Sequence, residues 1–168
     1  MTDDERGVAA AVLELTRERG WNLATAESCT GGLVGARLTA VPGASTAYVG
    51  GIVAYSDDVK HAQLAVRTET LRTHGAVSAE TAAEMAAGAR RALAADIAVA
   101  VTGVTGPGGG TPDKPVGLVY LAVDSPTGAA AERLHIEGDR QAIRDRATEA
   151  ALRLVYEHLT QAAMNTGA

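Results

Sequence analysis

The chain has 168 residues, 46% of them hydrophobic, and carries 15 Lys and Arg against 20 Asp and Glu, a net charge of −5. That size fits one domain over residues 1–168, and an acidic balance with no basic run interleaved with aromatics offers no footprint for a nucleic-acid backbone. No run approaches the roughly 18 apolar residues of a membrane span, the amino terminus lacks a signal peptide's basic flank and continuous apolar core, and a lone cysteine makes neither an internal disulfide nor a zinc cluster, so a reducing cytoplasm is the expected compartment.

Residues 4–20 read as a helix, with Val8, Ala9, Val12, Leu13 and Leu15 near a 3.6-residue period and Gly20 as its stop. WNLATAE follows as a short strand, and Thr30 is the expected N-cap of a second helix reaching about Val41, where PGA ends it. STAYVGGIVAYS is rich in β-branched and aromatic residues, with Gly50 and Gly51 signalling a bulge or a close backbone approach. Asp57 and Asp58 open a short helix over DDVKHAQLAV. SAETAAEMAAGARRALAA is a stronger helix, with Ser78 as N-cap. DIAVAVTG is an apolar strand of the kind buried on both faces. VGLVYLAVD and AAAERLHIEG form a hairpin around SPTG, and a final helix runs from about Asp139 to Ala162. Strands alternating with helices, then a hairpin, predict a three-layer α/β/α sandwich with a mixed, mostly parallel sheet of about five strands. Ligands of such sheets bind beyond the carboxyl ends of the strands, which selects the turns after residues 26, 56 and 103.

The first turn, Glu27-Ser28-Cys29-Thr30-Gly31-Gly32, presents backbone N–H groups at a helix start, suited to an anion or a developing oxyanion. Ser28 resembles a nucleophile elbow in position, although G-x-S-x-G is absent. Local pattern alone divides evenly between that and a glycine-rich helix start built for packing. Cys29 is the stronger nucleophile in principle, but His61, His74, His135 and His158 are scattered, and a lone cysteine there reads better as buried packing. In the second turn Tyr55, Ser56 and Lys60 suggest a lysine base in a Ser-Lys pair. A free lysine titrates at about 10.4, so burial or a nearby arginine must lower it for work near neutral pH, and Asp57 and Asp58 oppose that unless they face away. The commoner fate of such a lysine is a solvated helix charge.

The third turn, TGVTGPGGGTPDKPVG, is the most distinctive. Gly103, Gly106, Gly108 and Gly109 clear side chains from the end of a buried strand, and Thr102 adds a hydroxyl; neither a Walker A order nor G-x-G-x-x-G is present. A ligand loop is favoured over a plain surface loop. Arg140 and Arg144 are four apart on one helix face, suited to a phosphate clamp or to depressing a lysine, although spacing alone favours surface salt bridges. No metal-ligand cluster stands out.

Taken in order, TAESCTGGLVGARLTAVPGAS, GGIVAYSDDVK, GAVSAETAAEMAAGAR, VTGVTGPGGG, KPVGLVYLAV and GDRQAIRDRATEAAL resemble the CinA C-terminal domain family, which includes stand-alone nicotinamide mononucleotide (NMN) deamidases. The resemblance implies an α/β/α sandwich and hydrolysis of NMN to nicotinic acid mononucleotide and ammonia in pyridine-nucleotide recycling, without a cofactor. It implies Ser28 as nucleophile, Lys60 as base and Tyr55 nearby. Thr30, Gly31 and Gly32 are the expected oxyanion donors. Thr102, Gly103, Gly106, Gly108, Gly109 and an arginine, Arg140 or Arg144, would hold the nucleotide, with Tyr48 or Tyr55 facing the nicotinamide ring. The segment GVTG departs from the family's usual isoleucine-alanine pair, so that Thr105 adds a hydroxyl. A homo-oligomer is the expected assembly. The alternative from another class is a nucleotide-binding or regulatory module without catalysis, in which Ser28 and Lys60 are merely structural.

Overall fold

In the computed structural model, which describes residues 3–165, the apolar run β3 (Ile97–Gly103) lies at the centre of a five-stranded sheet. The order is β2 (Tyr48–Val53), β1 (Leu23–Glu27), β3, β4 (Leu118–Ser125), β5 (Gly128–His135). β2, β1 and β3 pair in parallel, while β4 is antiparallel to both β3 and β5, so four strands run one way and one opposes them. Every residue of β1 is buried, whereas β2 alternates and β5 is mostly exposed, as expected for a central strand between two edges.

The two faces of the sheet differ in side-chain size. Leu23, Val99, Val101, Val119, Leu121 and Val123 meet α1 (Asp3–Glu18), α2 (Leu33–Thr39) and α6 (Arg140–Asn165) in the larger core. On the opposite face Ala24, Ala26, Ala98, Ala100 and Ala122 meet Ala82, Met85, Ala86 and Ala89 of α5 (Ala79–Ala92). The alanines let α5 approach the sheet closely, and at Gly88 an added Cβ would lie 1.9 Å from the carbonyl oxygen of Leu64, at the end of α3 (Asp57–Leu64).

Local signals explain most element ends. Gly20 stops α1 with φ +64°, and Ser56 and Ser78 accept from Val59 N (3.3 Å) and Thr81 N (3.1 Å) to cap α3 and α5. Three expectations need correction. The second helix begins after Gly32 rather than at Thr30, and ends at Thr39. β2 is shorter than its β-rich sequence, because Ala44–Thr46 form a 3₁₀ turn and Ser56 is taken as a cap. A further helix, α4 (Thr68–His74), carries no strong apolar period and was not anticipated. Among the described residues no helix is long and apolar enough to cross a membrane.

Because β1, β2 and β3 are parallel, their carboxyl ends share one rim. The turns that follow them meet there, and the start of α6 brings Arg140 to the same place.

Candidate active site

The rim holds a cavity of about 270 Å³ lined by side chains from all three turns, among them Ser28, Cys29, Tyr55, Lys60, Thr102 and Arg140. A cleft of about 560 Å³ beside Pro42 and Tyr48 is larger but contains no base, so chemistry rather than size selects the rim cavity.

Ser28 leaves β1 with its amide donating to Val101 O of β3 at 2.9 Å, which pins the start of the turn to the sheet. Its hydroxyl oxygen accepts from Lys60 Nζ at 3.1 Å, and the same ammonium nitrogen donates to Tyr55 O at 3.1 Å. Lys60 is 1% exposed and Ser28 8%. No carboxylate bonds Lys60 among the described contacts, and burial holds its pKa below the ordinary lysine range against an opposing pull from Asp57. The expected help from Arg140 or Arg144 is not what lowers it; desolvation is. A lysine poised toward its neutral form, in contact with a serine hydroxyl, has the geometry of a nucleophile and its base.

Cys29 follows Ser28 into the turn but joins the larger hydrophobic core. Burial pushes its thiol up to about 12, with the Glu27 carboxylate adding to the effect, so the thiolate is scarce at neutral pH. None of the four histidines lines the cavity. His61 Nδ1 is paired with Val66 O and His158 Nε2 with Ser125 Oγ, both away from Ser28.

The functional residue that sequence reasoning missed is Glu27. Its carboxylate, 1% exposed, accepts from Thr30 Oγ1 (2.7 Å), Gly32 N (2.9 Å), Val34 N (3.0 Å) and Gly35 N (2.9 Å). Glu27 therefore supplies the cap assigned to Thr30, whose hydroxyl donates to it instead. N-cap rules look to the residue just before the helix, and Glu27 reaches amides five to eight positions ahead only because the intervening turn doubles back. Gly31 and Gly32 permit that with φ +61° and +101°. The turn is braced from outside by Arg144, which donates to Cys29 O (3.2 Å) and Thr30 O (3.0 Å).

The remaining sequence candidates divide accordingly. Thr30, Gly31, Gly32 and Arg144 do not line the cavity but build the turn that carries Ser28, and Gly31 N is already engaged with Ser28 O and Gly32 N with Glu27. Gly103, Gly106, Gly108 and Gly109 do line it; at Gly103 an added Cβ would meet Leu118 O at 2.8 Å, while Gly108 faces open space. Thr102 lines the wall and donates to Ala76 O at 2.7 Å. Arg140 reaches across the mouth, with Nη1 donating to Thr105 Oγ1 (2.9 Å) and Gly106 O (2.8 Å), and Nη2 to the Tyr55 phenol (3.2 Å). Tyr55 is 62% exposed and offers the rim its ring, whereas its backbone carbonyl serves Lys60. Tyr48 lies outside the cavity lining and is bonded to Thr25 Oγ1 at 2.9 Å. Among the described residues no three His, Cys, Asp or Glu side chains cluster as metal ligands.

Known proteins resemble the chain both in sequence and in fold. The chain is 46% identical over 160 residues to a CinA-like protein of Myxococcus xanthus, covering 95% of this chain and 38% of that protein. It is 54% identical over 142 residues to a CinA-like protein of Parasynechococcus marenigrum, covering 83% and 33%. It thus spans about a third of the length of these curated relatives. The crystal structure of the competence/damage inducible protein CihA from Agrobacterium tumefaciens superposes with a TM-score of 0.91 at 40% identity, over 95% of this chain and 98% of that one. A CinA superfamily protein from Klebsiella pneumoniae gives 0.89 at 36% identity, over 94% and 98%. The model of the CinA C-terminal domain matches residues 5–159, and the chain belongs to that family.

Proposed function

We propose that this domain is an amidohydrolase that converts NMN to nicotinic acid mononucleotide and ammonia through a Ser28–Lys60 pair. The observation that carries the reading is the 3.1 Å contact between Ser28 Oγ and the buried Lys60 Nζ in a cavity also lined by Arg140 and a glycine loop.

Neutral Lys60 takes the Ser28 proton as Oγ attacks the amide carbonyl carbon. The tetrahedral oxyanion needs N–H donors, and those of Gly31 and Gly32 are committed. The Thr30 amide has no acceptor among the described contacts, the Cys29 amide has only its own thiol, and Cys29 lines the cavity beside Ser28, so these two are the donors the turn can supply. Lys60 then delivers its proton to the departing nitrogen, the C–N bond breaks and ammonia leaves. Water, deprotonated by the again neutral Lys60, attacks the acyl carbon; the proton returns to Ser28 and the carboxylic acid product is released. Arg140 and the loop at Gly106–Gly109 would receive the phosphate end, and Tyr55 would flank the pyridine ring at the rim.

Ammonia release from NMN by the pure protein, compared with folded Ser28→Ala, tests the reading. Turnover lost in the variant supports it. Binding of NMN without turnover would make the domain a nucleotide-binding module instead, and turnover of other small carboxamides but not NMN would keep the mechanism and replace the substrate.

A further inference from the structure

Arg140 is held in an arrangement that its reading as a phosphate receptor does not by itself require. Both Nη1 contacts go to one segment, the buried Thr105 hydroxyl at 2.9 Å and Gly106 O at 2.8 Å, and a planar guanidinium held by two acceptors on one nitrogen has its plane set. Gly106 can aim its carbonyl there because it adopts φ +70°, and an added Cβ would lie 2.7 Å from Val116 Cγ1. Thr105 is β-branched, so its hydroxyl is restricted about χ1 before Arg140 arrives. With Nη2 donating to Tyr55, three of the five N–H groups are taken, which leaves two for the oxygens of an anion at the cavity that Arg140 lines.

We propose that Thr105, which stands where the family usually has alanine, is a positioning residue that presets Arg140 for the phosphate of the substrate and sharpens this chain's preference for a phosphorylated nucleotide over its phosphate-free nucleoside. This rests on the reading of Arg140 as the phosphate receptor. Thr105 also lines the cavity, but its hydroxyl bonds neither Ser28 nor Lys60 among the described contacts and acts through the guanidinium. An interaction equally strong in ground and transition states shifts KM and leaves kcat alone, and that is the signature expected here.

The experiment compares the parent with Thr105→Ala, Thr105→Val and Thr105→Ser on NMN and on nicotinamide riboside. Loss of one hydrogen bond to a charged group raises KM for NMN about 10-fold in the Ala and Val variants. Their kcat stays within about twofold of the parent, the riboside shows no matching loss, and Ser restores the parental KM. Equal losses on both substrates, or a parental KM for NMN in folded Thr105→Ala, would overturn the proposal. A second readout is independent of turnover: the ¹⁵N-bound Nη protons of Arg140, assigned by difference with Arg140→Lys, are resolved in the parent and averaged by rotation in Thr105→Ala. Unchanged Arg140 signals would likewise overturn it. If the parent releases no ammonia from NMN, the deamidase reading fails on that result alone, and Thr105 is then judged by the Arg140 signals.

Discussion

The turn after β1 and the turn after β2 each bury a titratable group beside the same cavity, with opposite results. In the first, Cys29 is desolvated among core side chains, and because its reactive form is an anion, burial raises its pKa to about 12 and silences it. In the second, Lys60 is desolvated at the cavity floor, and because its idle form is a cation, burial lowers its pKa and favours the base. In the proposed mechanism one physical cause thus switches off the intrinsically better nucleophile and prepares a weaker one, the Ser28 hydroxyl 3.1 Å from Lys60.

The sharpest way to break this contrast is Ser28→Ala, which should cost about 10⁴-fold or more in kcat with folding intact by circular dichroism. If activity followed Cys29 instead, burial would not be the deciding factor. Next in size is Lys60→Arg, expected to lose about 10²- to 10⁴-fold because guanidinium stays protonated where a buried amine does not. In the parent, kcat/KM should rise with pH through one ionisation below the ordinary lysine range, since the neutral amine is the working form. Near-parental activity in folded Lys60→Arg would reduce Lys60 to an electrostatic contact.

Glu27→Gln tests the scaffold of the first turn. An amide side chain cannot accept at both ends, so at least one of the four donors, Gly35 N where the amide nitrogen replaces Oε1, loses its partner, at about 1–3 kcal/mol of stability by denaturant titration. kcat should fall more than KM changes, because Ser28 is displaced. Lys60→Met isolates the desolvation term from catalysis. Between its lowered folded pKa and its ordinary unfolded one, the unfolded parent binds one more proton, so parental stability rises with pH across that window. The Met variant should lack that slope and melt a few degrees higher near neutral pH, at about 2–4 °C per kcal/mol for a chain of this size. The smallest effect belongs to Cys29→Ala, which removes a core thiol at a cost of about 1 kcal/mol and should leave kcat/KM within about twofold.

Periodicity and caps made most of the elements legible in the residues themselves. The uninterrupted apolar run of β3 could only be central, Ser56 and Ser78 mark their helices locally, and alternating strands and helices with a closing hairpin imply the mixed sheet that forms. Helix α4 escaped because its stability comes from contact with α5 rather than from a pattern of its own. The rim placement of the candidate site also followed from sequence, since parallel strands deliver their carboxyl-end turns to one edge. What the amino-acid order determined, then, was which turns meet and which side chains they carry. Tertiary structure decided what those side chains do: Glu27 displaced Thr30 as the cap, Arg140 went to Thr105 and Tyr55 while Arg144, one turn on, braced the Ser28 turn, and Lys60 was buried rather than solvated. Hydrogen-bond partners 35 to 115 positions apart and the dielectric around an ammonium are set by packing across the whole chain, which no local pattern encodes.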